Sequence, residues 1–188
     1  MAIFDKLLGK NKPPTKKNQN MVGYFTVGTG NARNYNYQEL AEEGYIKNAI
    51  VYRCVNEISK GAGAVQFTIK SGDETLEMHP LIELLNRPNP QQSYAEFFTA
   101  LYGYLLLSGN YYILKVGKNT EPSELHLLRP DRINVVGGQN VIPQKYEYTV
   151  KGTVQAEYLV DQENGFSDVK HTKLWSPLDD FYGLSPLS

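Results

Sequence analysis

The sequence predicts an α+β domain in which helices lead and a largely antiparallel sheet follows. Apolar residues recur at helical spacing through the first half, and Ser93 and Glu96 form a capping pattern in front of its last helical segment. From Asn110 onward short alternating segments separated by turn residues take over. There is no βαβ alternation and no internal repeat.

Order is expected to begin between Asn36 and Tyr45. Ile46, Ile50, Cys54, Ile58 and Ala62 recur every fourth residue, with Val51 and Val55 widening the stripe, which reads as a buried helix face. Gly61 and Gly63 are expected to stop this helix. Val65, Phe67 and Ile69 then alternate with Gln66, Thr68 and Lys70, the period of a strand with one face covered. Ser71-Gly72-Asp73-Glu74 has turn composition, so Thr75 to Met78 can return as the partner strand of a hairpin.

His79-Pro80 can open a second helix, because proline at the first helical position needs no amide donor; Leu81, Leu84 and Leu85 then share a face. Arg87-Pro88-Asn89-Pro90 ends it. Beyond the Ser93–Glu96 box, Phe97, Leu101 and Leu105 lie on one stripe with Phe98 beside them, and Gly109 is placed to terminate the helix. The β segments expected next are Tyr111 to Val116, Glu124 to Leu128, Ile133 to Val136, Lys145 to Val150, Val154 to Leu159 and Val169 to Trp175. Gly117-Lys118-Asn119 and Gly137-Gly138-Gln139-Asn140 mark turns between them.

The 188 residues, 41% of them hydrophobic, suffice for one domain. Nineteen Lys and Arg against 20 Asp and Glu leave a net charge of -1, so the chain as a whole attracts neither nucleic acid nor an anionic membrane. The longest apolar stretch, Leu101 to Leu107, is interrupted by Gly103 and falls short of a membrane span, so a soluble protein is expected. Cys54, the single cysteine, reads as a small buried hydrophobe and forms no intramolecular disulfide.

Residues 1–36 read as a flexible N-terminal arm and linker, and 37–188 as the domain proper. Ile3, Phe4, Leu7 and Leu8 fall on one side of a short amphipathic segment, followed by Lys10, Lys12, Lys16 and Lys17 around Pro13-Pro14. Asp5 and Lys6 interrupt the apolar run and no small-residue cleavage pattern follows, which argues against a secretory signal. An arm of this kind suits docking on a neighbouring subunit, or staying mobile, better than anchoring in a membrane.

Catalytic chemistry finds little support. His79, His126 and His171 have no metal-ligand spacing, and the acidic pairs Glu42-Glu43 and Asp179-Asp180 read as solvated loop charge. His126 should point to the wetter face of its strand, and His171 could pair with a carboxylate near Asp168. The chain has neither a glycine-rich phosphate cradle ending in Lys-Ser or Lys-Thr nor a Gly-x-Ser-x-Gly elbow. The 14 tyrosines suit a sheet core or a subunit interface better than base stacking, because basic residues do not cluster among them. No catalytic residue, metal ligand or cofactor is therefore assigned.

What does stand out is a series of turn and cap phrases: His79-Pro80-Leu81, Asn86-Arg87-Pro88-Asn89-Pro90, Leu107-Ser108-Gly109-Asn110, Leu128-Arg129-Pro130-Asp131-Arg132, Asp168-Val169-Lys170-His171 and Tyr182-Gly183-Leu184-Ser185-Pro186. In this order over residues 45 to 187 they resemble the portal proteins of tailed bacteriophages, most nearly the group associated with HK97-like phages. The amphipathic opening of Met1 to Gly9 is similar to many members' N-termini.

The resemblance implies a non-catalytic structural subunit of a ring, in that family a dodecamer, at one capsid vertex of the virion, assembled in the host cytoplasm. Through such a ring the genome is packed and ejected. Implied partners are further copies of the chain, the major capsid protein, the terminase and the head-tail connectors, with double-stranded DNA only as passing cargo and no membrane. His79, Pro80, Leu81, Pro88, Asn89, Gly109, Asn110, Pro130, His171, Gly183, Ser185 and Pro186 would be structural positions. Residues 37–188 would be the N-terminal part of the wing. The family's stem, clip and tunnel-loop parts would follow residue 188, so this chain would be a fragment of a longer portal or a truncated remnant. The other reading kept open is a virion adaptor with no channel of its own.

Overall fold

The computed structural model describes residue 37 and residues 40–118, 121–138 and 142–187. The expected arm over residues 1–36 lies outside the described residues, as does part of the expected turn after Gly138. A π-helical turn, Leu40–Ile46, leads into helix α1, Ala49–Gly63. A small hairpin of β1, Ile69–Ser71, and β2, Glu74–Leu76, precedes helices α2, Pro80–Asn86, and α3, Tyr94–Ser108. Strands β3, Asn110–Lys118, and β4, Glu121–Leu128, are followed by a 3-10 turn at Pro130–Arg132. Strands β5, Ile133–Gly137, β6, Pro143–Val150, β7, Thr153–Leu159, and β8, Val169–Lys173, complete the fold.

Among the described residues three antiparallel sheets result: the β1–β2 hairpin, a sheet of order β4-β3-β8 and a sheet of order β5-β6-β7. The β4-β3-β8 sheet sits between two cores because successive side chains along β3 point to opposite faces. On one face Tyr111, Ile113, Leu125 and Leu127 pack against Phe97, Phe98 and Leu101 of α3. On the other, Tyr112 and Val169 meet Ile133, Val135, Tyr146 and Val160, together with Phe181 and Tyr182 of the C-terminal segment. Helix α1 lies against α3, so the layers run α1, α3, first sheet, second sheet.

Local chemistry explains the helix ends. Asn48 Oδ1 accepts the backbone amides of Ile50 and Val51 at 3.1 and 3.2 Å, opening α1. His79 Nδ1 accepts the amide of Leu81 at 3.1 Å with Pro80 at the first helical position of α2. At α3 the capping box is complete: Ser93 N donates to Glu96 Oε2 at 2.8 Å, and the Ser93 hydroxyl faces the Glu96 amide. The two hydrogen bonds from Ser93 hold the Glu96 carboxyl below its ordinary value.

Helix α1 departs from the expected arrangement. Its buried residues are Val55, Ser59 and Gly63, whereas Ile46, Ile50 and Ile58 are 69%, 76% and 56% exposed and Cys54 is exposed too. Ile46, Ile50, Cys54 and Ile58 of the face expected to meet the core therefore point outward, whereas Val55 at its edge is buried as expected, and Cys54 is not a buried hydrophobe. The reason is steric. An added Cβ on Gly63 would lie 2.6 Å from Thr99 Oγ1, and one on Gly103 would lie 3.9 Å from Ser59 Oγ. Small residues let α1 and α3 approach closely, and the bulkier isoleucines rotate away from that seam.

Val65 to Thr68 are not a strand either; β1 starts at Ile69, and β2 is shorter than the expected Thr75 to Met78 segment. The Tyr94 hydroxyl donates to the Val65 carbonyl, and the Phe67 ring meets Phe98 edge-on at 5.3 Å, so this segment is tied to the start of α3 and not to a neighbouring strand. Gly61 lies within α1 and does not stop it; the helix ends at Gly63, with Ala64 as its cap. Leu81 is 45% exposed, so the expected shared face of α2 is only partly covered.

These packings separate two kinds of apolar position. Leu101 is 4% exposed within the α3 core. Leu101→Ala is expected to lower stability by about 2–5 kcal/mol, whereas Ile50→Ala is expected to stay within about 0.5 kcal/mol of the parent. Urea denaturation of the two variants checks the contrast, and equal midpoints would contradict the layer assignment.

Candidate functional site

The most tightly built part of the molecule is the junction where α3 ends, β8 passes and the C-terminal segment returns. Gly109 caps α3 in the left-handed region at φ 73, its amide donating to the Leu105 carbonyl at 2.8 Å. A side chain there is excluded twice, by backbone geometry and because its Cβ would fall 2.5 Å from the Leu184 carbonyl carbon. Gly183 answers from the other side: a Cβ on it would fall 2.1 Å from the Gly109 carbonyl oxygen. Two backbones meet here with no room for a side chain on either.

Asn110 bridges them. Its Oδ1 accepts the Gly183 amide at 2.8 Å, and its Nδ2 donates to the Ser108 and Gly183 carbonyls at 2.8 and 3.3 Å. His171 Nε2 lies 3.1 Å from the same Oδ1. An amide oxygen only accepts, so Nε2 carries the proton. The imidazole stacks on Tyr112 at 4.3 Å and meets the Tyr146 ring edge-on at 5.9 Å. Burial, with the Lys173 and Lys170 charges adding to it, pulls its pKa down to about 3. The ring is therefore a neutral donor at physiological pH. Its partner is the Asn110 amide and not the carboxylate expected near Asp168.

Further bonds close the junction. Leu174 N donates to the Gly109 carbonyl at 2.8 Å, and the Ser185 hydroxyl donates to the Leu106 carbonyl at 3.0 Å. The Tyr182 hydroxyl accepts the Val135 amide at 2.8 Å, linking the segment to the second sheet. Asp179 Oδ1 accepts the amides of Phe181 and Tyr182 at 2.7 and 2.8 Å, which gives one of the paired acidic residues a turn-forming role.

Five of the positions singled out from the sequence, Gly109, Asn110, His171, Gly183 and Ser185, thus converge, with Pro186 following on the exposed side. The others stand elsewhere. His79, Pro80 and Leu81 open α2. Pro88 and Asn89 staple the loop before α3 to β4, because the Pro88 carbonyl accepts the Leu125 amide at 2.7 Å and Asn89 Nδ2 donates to the Leu125 carbonyl at 2.9 Å. Pro130 is buried at the head of the 3-10 turn. Tyr182, Asp179 and Tyr112 also matter here: in the sequence Tyr182 stands in one of the turn phrases with no role of its own, Asp179 reads as solvated loop charge, and Tyr112 is not among the structural positions. Of these only the Asp-x-Phe-Tyr spacing carried a local signal.

No group of three or more metal-ligating side chains occurs among the described residues, and no described helix is long and apolar enough to cross a membrane. A groove of about 360 Å³ between α3 and the first sheet is lined by Phe67, Leu85, Phe98, Leu101, Leu105 and Ile113 among others, and it brings no acid or base together. His126 lies 2.7 Å from Glu124 Oε2 at a half-exposed position, as its strand alternation implied.

Two measurements test the junction. Asn110→Ala leaves the buried Gly183 amide and the His171 donor unanswered and is expected to cost about 1–3 kcal/mol in urea. The second uses pH. The folded imidazole is protonated only near pH 3, against an ordinary value of 6.5, so between these limits the unfolded chain binds more protons. The His171 contribution is full above the ordinary value and is lost as pH falls toward 3, by at most about 1.4 kcal/mol per pH unit. His171→Phe is expected to flatten the acid limb of stability against pH relative to the parent. Asn110→Asp, which places a carboxylate against the ring, is expected to raise the His171 titration midpoint seen by NMR.

The comparisons with known proteins agree with this scaffold. An uncharacterized protein of Rickettsia bellii (strain RML369-C) is 37% identical over 189 residues, covering 99% of this chain and 46% of its own length. One of Rickettsia felis (strain ATCC VR-1525 / URRWXCal2) is 33% identical over 180 residues, covering 94% and 45%. The chain thus spans less than half the length of these curated relatives. Among solved structures, a chain in the neck of an empty GTA particle computed with C6 symmetry superposes with a TM-score of 0.74 at 37% identity, over 81% of this chain and 40% of that one. A chain in the virion of a native gene transfer agent (GTA) particle gives 0.70 at 37% identity over 81% and 39%. One in the neck of a native GTA particle computed with C12 symmetry gives 0.69 at 36% identity, again over 81% and 39%. Residues 49–188 match the family described as phage portal protein, and the chain belongs to that family.

Proposed function

We propose that this chain supplies the wing of a portal ring: a structural subunit at the vertex of a virus-like particle, helping to form the conduit through which nucleic acid is packed and ejected. The observation that carries the reading is the likeness to the chain in the neck of the empty GTA particle, at 37% identity and a TM-score of 0.74 over 81% of this chain. A particle computed with C12 symmetry contains a similar chain, which supports a ring of twelve copies. Residues 37–188 act as the wing domain and residues 1–36 as an arm. The twelve positions singled out from the sequence hold the wing's turns and junctions and carry out no reaction.

A fixed wing is what a ring subunit needs. Neighbouring copies repeat a heterologous contact, and small angular errors at each contact prevent a ring from closing. The Asn110 junction ties α3, the first sheet, the C-terminal segment and the second sheet together, which limits those errors. The matched solved chains are more than twice the length of the part covered here. Channel lining, terminase docking and connector contacts are therefore assigned to sequence of the kind found in the rest of those chains, and contact with the capsid protein to the wing's outer surface.

Native mass spectrometry and electron microscopy, on this chain alone and together with a polypeptide matching the remaining half of its relatives, test the proposal. Rings of about twelve subunits formed with the second polypeptide are the expected result. Subunits that stay monomeric in every combination would overturn the ring and favour the adaptor reading.

A further inference from the structure

The loop between Leu174 and Gly183 combines a fixed base with an apolar tip. Its two ends are held at the junction, where Leu174 N donates to the Gly109 carbonyl and Gly183 N to Asn110 Oδ1, both at 2.8 Å. Its returning half is held as well. Asp179 accepts the Phe181 and Tyr182 amides, those two side chains enter the core, and the Lys173 ammonium donates to the Asp180 carbonyl. The tip stays outside the core: Trp175 and Leu178 are 82% and 89% exposed, with Pro177 exposed between them. A large apolar side chain on a backbone that is already ordered loses little further freedom on binding, which is what an interface anchor requires.

The same chain carries an apolar recess. The groove of about 360 Å³ between α3 and the first sheet has Phe67, Leu85, Tyr102, Leu105 and Ile113 among its walls, and Phe67 is 52% exposed. A cavity of about 150 Å³ already accepts a benzene ring, so the groove has room for an indole. Trp175, being so exposed, leaves the groove of its own chain unfilled.

We infer that Trp175, with Leu178 beside it, seats in the groove between α3 and the first sheet of a second copy of this chain. The inference rests on the portal reading and supplies the contact that the ring repeats. Projection and recess are different surfaces of one chain, so each copy offers its loop to one neighbour and its groove to the other. Such a head-to-tail contact generates a ring when its rotation closes, whereas a self-complementary patch ends at a dimer. The similar chains stand in particle necks computed with C6 and C12 symmetry, and cyclic symmetry of that order is built from head-to-tail contacts. An aromatic side chain buries about 150–250 Å², a substantial part of the about 800 Å² per partner in a stable interface. One strand fixes the angle between the two surfaces, because Thr172 of β8 lines the groove three residues before Trp175. The Asn110 junction therefore sets the direction of the anchor along with that of the sheets.

Trp175 is the single tryptophan of the chain and reports on the contact itself. Hydroxyl-radical footprinting read by mass spectrometry measures its oxidation in the dilute chain and in the oligomers formed alone or with the polypeptide matching the remaining half of its relatives. Oxidation of Trp175, Phe67 and Leu105 is expected to be lost together on assembly. Trp175→Ala and Phe67→Glu, with folding checked by circular dichroism, are each expected to raise the dissociation constant between copies at least about 30-fold, or about 2 kcal/mol. Mixed one to one, these variants retain one intact loop and one intact groove per pair and are expected to form dimers that grow no further. Should Phe67→Glu fail to fold, Trp175→Ala and Leu178→Ala carry the test, both positions being exposed. Rings in which Trp175 oxidises as fast as in the dilute chain would overturn the inference and leave the portal reading standing. A parent chain that associates through Trp175 but stops at two copies would overturn the head-to-tail contact. Open oligomers that lose Trp175 oxidation would support the contact and count against the ring alone, and chains monomeric in every combination would overturn both.

Discussion

The structure depends on one close approach: the backbones at Gly109 and Gly183 touch, and Asn110 is the side chain that makes the contact a bond. Because a Cβ on Gly183 would sit 2.1 Å from the Gly109 oxygen, the C-terminal segment reaches α3 only if neither position carries a side chain. Once there, its amide and carbonyl both need partners away from water, and Asn110 has an acceptor and a donor on one planar group. The remaining capacity of Oδ1 selects a His171 ring that donates, and the surrounding aromatic rings keep that ring neutral. Turn geometry, hydrogen bonding and protonation state all follow from a contact between two glycines.

The placement of Phe181 and Tyr182 is a consequence. With Gly183 fixed, the two preceding side chains enter the core between the sheets, where both are buried, and the Tyr182 hydroxyl takes the Val135 amide. The second sheet is thus oriented by the C-terminal segment as well as by its own strands. A sheet of order β5-β6-β7 has edge strands on both sides, and packing on the first sheet through Tyr112, Tyr146 and Val160 is what gives it a buried face.

Where local rules coincide with burial, the sequence was legible. The Ser93–Glu96 box, the Phe97–Leu101 stripe and the alternation of Tyr111 to Val116 each carry their own periodicity, and all stand where they were expected. The direction in which α1 faces was not legible, because its isoleucines and its seam of Val55, Ser59 and Gly63 are both periodic, and hydrophobicity alone ranks the isoleucines higher. Close packing against Thr99 decided the matter, and that is a property of another helix. The segment from Val65 to Phe67 misled in a similar way. Its alternation is real, but Tyr94 and Phe98, distant in sequence, hold it as an irregular strap. At the junction the glycines announced a turn, whereas the meeting of Asn110 with Gly183 across more than 70 residues left no local trace.

This division has a physical consequence for the outer layer. Helix α3 is held by aromatic and aliphatic burial on the first sheet, while α1 is held by a seam in which Val55 is the one buried hydrophobic side chain and its neighbours are serine and glycine. A seam of small residues gives close contact and little transfer energy, since apolar stabilisation scales with area removed from water at about 25 cal/mol per Å². Of the two packed helices α1 and α3, α1 therefore opens at the lower free energy while its outer face is bare, and whatever covers that face adds to its stability. The junction that orients the sheets contains no part of α1. A scaffold built this way can leave its outermost helix to be stabilised by the surface it meets while the geometry of the rest stays fixed.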